Sequence, residues 1–376
     1  MTRMRLVVDA ILDTQRGEIG RYTVELGRAL IATAPNGIEV EGLVSASPAA
    51  AYARIVEDLP GLAELHKSSF DRRALHGLWR RGLAATGGGG GMLHAPDLLA
   101  PLTRHDRLAK PGEQSVITVH DTLAWTAPER LPKGEAALRM ALIRRADKYA
   151  DAVIAPNHSV ADGLMSVASF GDRVRVIPGG ASTRLERPAD AEHRASVLGL
   201  PDEYLLAWST GESARASIGP LLRGMTRTDG PALPIVVLGT NDIRDAAGEL
   251  GLPQDRVHIV DPGDAADRAT ALHGASVLVH PGPAEGFGQS LLDAMAAGIP
   301  VVHVDDDALK ELTAEAALVV SRNDVAGFTA SLAQHVAALL EDAQTQERMR
   351  IAGRDRAKLF SWRDAAEKVW QLHADL

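Results

Sequence analysis

Short apolar runs alternate along this chain with longer stretches in which apolar residues recur every three or four positions. The first pattern predicts buried strands, and the second predicts helices packed by one face. In the first half, strands are predicted at Leu6–Ala10, Val40–Ser45, Val116–His120, Ala152–Pro156 and Val174–Pro178. A turn from Gln15 to Gly20 leads into a helix on which Ile19, Tyr22, Leu26 and Leu30 share a face, and a long helix lies between Gly134 and Tyr149. After a polar stretch around Arg184–His193 the pattern restarts. Its strands are Tyr204–Thr210, Pro234–Gly239, Val257–Val260, Ser276–His280, Pro300–Val304 and Ala316–Val320, with helices that include Ile218–Met225 and Phe287–Ala297. Two βα series of similar length predict an α/β protein of two Rossmann-like domains, residues 1–182 and 183–359, each on a largely parallel sheet. Residues 360–376 form a closing helix. Ser361-Trp362-Arg363-Asp364 has the form of a capping box, and Trp362, Ala366, Val369 and Trp370 make an apolar stripe.

Composition narrows the function. At 376 residues the chain exceeds the usual size of one core, which agrees with two domains. A net charge of −9 and a pI near 5.8 argue against nucleic acid as a partner, because such binders carry a broad basic surface. The absence of cysteine excludes disulfides, thiolate metal sites and cysteine nucleophiles. The apolar part of Met1–Asp9 is too short for a secretion signal, and no stretch approaches the ~20 apolar residues of a membrane span. A soluble, cytoplasmic protein is expected.

Two segments break the alternation. Gly87–Gly91 is five consecutive glycines, read as a flexible loop; without a Gly-Lys-Ser/Thr ending it is not a P-loop. His66–Leu83 sets Lys67, Arg72, Arg73, Arg80 and Arg81 beside Phe70, Leu75, Leu78 and Trp79. This is the composition of a basic amphipathic helix. Such a helix either makes peripheral contact with the inner membrane face or packs its apolar stripe on its own domain.

The chemistry concentrates in Pro283-Ala284-Glu285-Gly286-Phe287-Gly288-Gln289-Ser290-Leu291-Leu292-Asp293-Ala294-Met295-Ala296-Ala297-Gly298-Ile299-Pro300-Val301-Val302. A glycine-containing turn here opens a short helix between two strands. Gly286 and Gly288 let backbone approach a ligand, and the first helical turn offers N–H groups to an anion. Leu291 and Met295, one turn apart, are expected to face the core. Asp293 lies far enough along to reach a hydroxyl.

This stretch resembles the E-x(7)-E signature of retaining GT-B glycosyltransferases, a family that includes bacterial mannosyl-, glucosyl- and rhamnosyltransferases. Glu285 matches the first acid, and Asp293 stands where the second is normally glutamate. The resemblance implies that Glu285 contacts donor-sugar hydroxyls and Asp293 the ribose, while the backbone at Phe287, Gly288, Gln289 and Ser290 holds sugar and diphosphate. Gly17-Glu18-Ile19-Gly20-Arg21-Tyr22 is similar to the family's Gly-x-x-Gly-Arg-Tyr turn, which implies that Gly17, Gly20 and Arg21 approach the donor phosphates. Thr118-Val119-His120-Asp121 resembles a strand-end Val-His-Asp. There His120 is implied to contact the donor sugar near the reacting carbon, and Asp121 to place the loop or an acceptor hydroxyl. Asp147–Asn157, Arg175–Gly179 and the ending Phe360-Ser361-Trp362 extend the similarity, the last implying a helix that crosses back onto the first domain.

The resemblance thus implies a GT-B fold with two domains facing across a cleft. It also implies hexosyl transfer, with retention, from a nucleoside diphosphate sugar to a glycan, lipid-linked or small-molecule acceptor. No cofactor and no metal are expected. An Asp-x-Asp metal motif has no convincing setting here, and Asp305-Asp306-Asp307 reads as a polar turn. One departure stands out. The family's Arg-Lys pair after the first strand of the second domain is reduced to Arg215 within Ser209–Ser217. Positive charge at a departing diphosphate stabilises the transition state. A nucleotide-sugar-binding protein with weakened catalysis, or a partner subunit, is therefore the alternative. A dehydrogenase is disfavoured because no Gly-x-Gly-x-x-Gly follows the first strand, and an epimerase would convert donor without an acceptor.

Overall fold

The computed structural model describes residues 2–12, 17–83, 91–105, 112–209, 214–239, 241–253, 255–260, 264–282, 287–322 and 327–376. Contacts divide the chain into two units. The first comprises the described residues of 1–179 and 361–376 together with Phe287; the second comprises those of 180–282 and 288–360.

The first unit is built on a seven-stranded sheet. Its strands are β1 (Thr2–Val7), β2 (Ile38–Ala46), β3 (Glu64–Asp71), β4 (Met92–Ala95), β5 (Gln114–Thr118), β6 (Ala152–Ala155) and β7 (Val174–Val176). They lie in the order β3-β2-β1-β4-β5-β6-β7, every pair parallel. Alternate residues feed opposite faces. Leu6, Val44, Val116 and Ile154 enter one apolar cluster; their neighbours Val7, Leu43, Ile117 and Val153 enter the other. That is why inner strands such as Ala152–Ala155 read as apolar runs: both faces are covered. The first cluster also takes Leu26 and Leu30 of the helix Gly17–Ala32. The closing helix Trp362–Asp375 adds Trp362, Ala366, Val369 and Trp370 to it, so the chain's end docks on the first unit. Ser361 caps that helix by accepting the Asp364 N–H at 3.3 Å.

The second unit carries β8 (Leu205–Ser209), β9 (Ile235–Gly239), β10 (Val257–Val260), β11 (Val277–His280), β12 (Val301–Val304) and β13 (Leu318–Val320). Their order is β10-β9-β8-β11-β12-β13, again parallel throughout. In both units the strand order reverses once, between β1 and β4 and between β8 and β11. Open α/β sheets bind ligands beyond the carboxyl ends of such strands.

Several expectations are corrected. The first strand runs Thr2–Val7, not Leu6–Ala10, and Asp9–Leu12 is a short 3-10 turn. Helix already begins at Gly17, so Gly17 and Gly20 belong to its first turns rather than to a preceding turn. The second-unit helix starts at Gln289 rather than Phe287. The basic segment is not one helix. His66–Asp71 completes β3, and only Arg72–Arg81 is helical, its start capped by Asp71 accepting the Ala74 N–H at 2.9 Å. Leu75 and Trp79 are fully buried in the second cluster of the first unit, so its apolar stripe packs on its own domain. Among the described residues, no helix is long and apolar enough to cross a membrane. The glycine run falls mostly outside the described residues; Gly91 alone is described. Asp306 caps the helix Asp307–Thr313, and Asp305 and Asp307 pair with Lys310, as a polar turn requires.

Candidate active site

In the second unit, the strands at the reversal point lead to the residues singled out for the donor. Glu285 and Gly286 lie outside the described residues. Gly288 precedes the helix Gln289–Ala297 with φ of +78°, a conformation that favours glycine. A Cβ there would lie 2.9 Å from a Leu312 methyl and 3.3 Å from a Leu309 methyl, so a larger residue would have to displace these methyls as well as adopt the positive φ. The first intrahelical bonds run from Leu291 and Leu292 to the Gly288 carbonyl, and no side chain caps this helix. An uncapped start presents N–H groups and the positive end of the helix dipole, which suits an anion. Gln289, the first helical residue, is 1% exposed, yet neither its amide nitrogen nor its amide oxygen has a hydrogen-bond partner. Leaving such a group unsatisfied costs the unliganded protein about 1–3 kcal/mol.

Asp293 is buried one turn further on, and its Oδ1 accepts the Ser182 N–H at 2.7 Å. The shorter acid is thus anchored to the segment that opens its own unit, ahead of the helix Ala191–Leu198. Leu291 and Met295 are fully buried, as their spacing predicts. Phe287 is buried beside Gly179, where an added Cβ would meet Trp362 and Phe287. Arg215 is the second residue of the helix Ala214–Met225 that follows β8.

In the first unit, β1, β4 and β5 end side by side, each followed by an acid or a histidine. His120 follows β5 and is buried; its Nε2 donates to the Pro96 carbonyl at 2.7 Å. A carbonyl only accepts, so Nε2 carries the proton and Nδ1 is the acceptor. Burial lowers the His120 pKa, opposed by the Pro96 bond and the carboxylates of Asp97, Asp121 and Glu18. The ring is therefore neutral at pH 7, with Tyr22 edge-on at 4.6 Å. Burial raises the pKa of Asp121, against the pull of Arg139 and the Leu123 N–H. Its Oδ1 accepts that N–H at 2.9 Å, and Oδ2 pairs with Arg139 at 3.1 Å. Arg139 also binds Glu135 at 2.9 Å. These groups border a pocket open to solvent, with about 450 Å³ of empty space including open solvent, that Asp97 and Trp125 also line.

A smaller cavity of about 280 Å³ shares Asp97 and Leu99 with the first and is bordered by Asp9, Thr23, Arg72 and His76. Asp9 Oδ1 accepts from the Ser45 backbone at 2.9 Å and hydroxyl at 2.6 Å, and Oδ2 meets His76 at 2.9 Å and Arg72 at 3.2 Å. Burial alone would raise its pKa, but the bonds from His76 and Ser45 outweigh that and hold it below the usual value. Gly20 lets its helix close on this region: a Cβ would sit 2.9 Å from the Ala10 carbonyl oxygen. Arg21 pairs with Glu18 at 3.8 Å.

Comparison with known proteins agrees with this architecture. The model for glycosyltransferase family 4 matches residues 19–185, and that for glycosyl transferases group 1 matches residues 221–356. The chain belongs to the group 1 glycosyltransferases. It is 24% identical to the O-antigen chain mannosyltransferase B of Escherichia coli, over 68% of this chain and 69% of that protein. It is 27% identical to the D-inositol 3-phosphate glycosyltransferase of Nocardia farcinica, over 54% of this chain and 49% of that one. The structure of Anabaena HepE in complex with UDP and glucose aligns over the whole of both chains, with a TM-score of 0.72 at 16% identity, and WaaG aligns with a TM-score of 0.68 at 15% identity over 97% of this chain and 98% of that one. These neighbours share the GT-B fold, two Rossmann-like units on parallel sheets.

For this group 1 glycosyltransferase, the structure gathers Phe287, Gly288, Gln289, Ser290 and Asp293 at one helix start, and His120 and Asp121 at one strand end. Asp9, Asp97, Trp125, Glu135, Arg139 and the Arg72–His76 pair were missed. They are spread over several elements, with only Glu135 and Arg139, and Arg72 and His76, sharing a helix, so no local motif announces them. The signal available was weaker: acids standing just past apolar strands, as Asp9 follows Val8 and Asp97 follows Ala95-Pro96.

Proposed function

We propose that this protein transfers a hexosyl group from a nucleoside diphosphate sugar to an acceptor hydroxyl with retention at the anomeric carbon, without a metal ion. The observation that carries the reading is the uncapped helix start at Gly288–Gln289 with its buried, unsatisfied amide. In this reading the helix start and Arg215 hold the diphosphate, Glu285 the sugar hydroxyls and Asp293 the ribose. The bond from the anomeric carbon to the diphosphate breaks as the acceptor oxygen bonds on the same face. The acceptor proton passes to a diphosphate oxygen, so no second carboxylate is required as nucleophile. Neutral His120 offers Nδ1 as an acceptor to a sugar hydroxyl.

The test is incubation of the protein with UDP-, GDP-, ADP- and dTDP-sugars and a panel of acceptors, with thermal stabilisation reporting donor affinity. Transfer is expected with one donor class, and Glu285→Ala is expected to lose it by about 10²-fold or more. A Glu285→Ala protein as active as the parent removes the site assignment. The second reading, binding with little turnover, rests on the loop that keeps Arg215 but no lysine; nucleotide stabilisation without transfer or hydrolysis supports it.

A further inference from the structure

The larger cavity of the first unit carries a substrate preference that follows from its charges. We propose that it receives the acceptor, and that this acceptor presents a neutral, polyhydroxylated glycosyl group rather than a phosphorylated one. This rests on the glycosyltransferase reading above and names the second substrate.

Three carboxylates, Asp97, Asp121 and Glu135, line the cavity against one guanidinium, that of Arg139. Arg139 is already committed, bound to Asp121 at 3.1 Å and to Glu135 at 2.9 Å. His120 adds no charge, because burial keeps it neutral and its proton is given to Pro96. The lining is therefore net negative. A phosphate entering it meets like charge in a partly desolvated space and finds no uncommitted cation, which opposes binding. Hydroxyl groups meet the reverse. Carboxylates only accept hydrogen bonds, and each oxygen can accept more than one, so a sugar's hydroxyls can add donors to those the carboxylates already have.

Two further features suit a sugar. Trp125 lines the same cavity as an aromatic surface, and its indole N–H is buried with no hydrogen-bond partner in the protein. His120 leaves Nδ1 as an acceptor beside Asp121. The adjoining cavity does not reverse the balance, since its Arg72 is paired with the buried carboxylate of Asp9. Asp97 borders both spaces and so stands where an acceptor longer than one ring would pass.

The experiment uses the full chain with the donor found active and two probe acceptors, methyl mannoside and methyl glucoside, each offered with and without a phosphate ester. The neutral form is expected to show a kcat/KM at least about tenfold higher. Asp97→Asn is expected to raise the acceptor KM several-fold, a larger change than in the donor KM. Asp97→Lys is expected to shift preference towards the phosphorylated probe. Circular dichroism and thermal melts confirm that both variants fold, and Asp97→Asn stands alone if the lysine variant does not. Preference of the parent for the phosphorylated probe overturns the proposal, as does an acceptor KM indifferent to Asp97→Asn. Donor binding and hydrolysis distinguish the levels: if these persist while a phosphorylated acceptor is preferred, only the acceptor inference falls. If no nucleotide sugar binds at all, the glycosyltransferase reading falls and takes this one with it.

Discussion

The two units share a plan and use it in opposite ways. Each is a parallel sheet whose strand order reverses once, and each places its chemistry beyond the carboxyl ends of the strands at that reversal. In the second unit the equipment is backbone: a left-handed glycine, a helix start without a side-chain cap, and one buried amide lacking partners. In the first unit it is side chains, with Asp9, Asp97, His120, Asp121, Glu135 and Arg139 arrayed around two adjoining cavities. Converging N–H groups suit an anion of fixed geometry, such as a diphosphate. Carboxylates suit a ligand rich in hydroxyls. On the function proposed above, one site takes what activates the sugar and the other what receives it.

The sharpest way to break the comparison is at Gly288. Any other residue must adopt φ near +78° and press its Cβ to within 2.9 Å of Leu312. Gly288→Ala is expected to tilt the helix start, lower transfer by about 10²-fold or more, and weaken stabilisation by the nucleotide diphosphate. The first unit should keep its melting behaviour. Undiminished nucleotide binding in a folded Gly288→Ala protein would show that this backbone is not the anion site.

The next effect belongs to the first unit and is read by acid. His373 of the closing helix is buried, and burial lowers its pKa from 6.5 to about 4. Its Nδ1 donates to Gln114 Oε1 at 2.9 Å, and its Nε2 faces Nδ1 of His94 at 3.4 Å. His94 is fully buried on β4, and burial, with His373 beside it, lowers its pKa well below the usual value. The folded values lie below the unfolded ones. Between pH 6.5 and about 4 the unfolded chain therefore binds protons that the folded chain refuses, and stability falls as pH falls; above pH 6.5 this contribution is flat. Loss of about 2 kcal/mol from His373 alone is expected between pH 6.5 and 5. His373→Gln, which cannot titrate, should flatten that slope in thermal melts; an unchanged slope assigns the acid sensitivity elsewhere.

How much of this was legible follows the same division. The second-unit strands announced themselves, since Ile235–Gly239 is an unbroken apolar run buried throughout, and Val257–Val260 and Val301–Val304 are apolar apart from His258 and His303. The edge strand Glu64–Asp71 did not. It pairs only with β2, leaves most of its residues partly or fully exposed, and so carries no apolar pattern. Its polar residues merged by eye with the helix that follows. The residues gathered at Gly288–Asp293 were legible because they are contiguous, and a helix start is a local object. The cavity of the first unit was not, because Asp97, Asp121, Glu135 and Arg139 meet only once three elements are folded together. Asp9 was hidden by position: read as the end of a buried strand, it is a buried carboxylate held by Ser45, His76 and Arg72.

The smallest expected effect is the most discriminating, because stability and binding should move in opposite directions. Gln289 is buried with both amide atoms unsatisfied, an arrangement that costs the unliganded protein about 1–3 kcal/mol. Leucine is one bond shorter but of comparable volume, and it has no polar group to satisfy. Gln289→Leu is therefore expected to raise the stability of the unliganded protein by about 1 kcal/mol. If the amide exists to meet the donor, the same change should weaken nucleotide-sugar affinity by roughly tenfold, the worth of one hydrogen bond to a charged group. Thermal melts with and without nucleotide read both quantities on one sample. A variant that gains stability and keeps its affinity would show that the amide is merely tolerated. One that loses both would place Gln289 among the residues that hold the helix, leaving the backbone N–H groups and Arg215 to meet the anion.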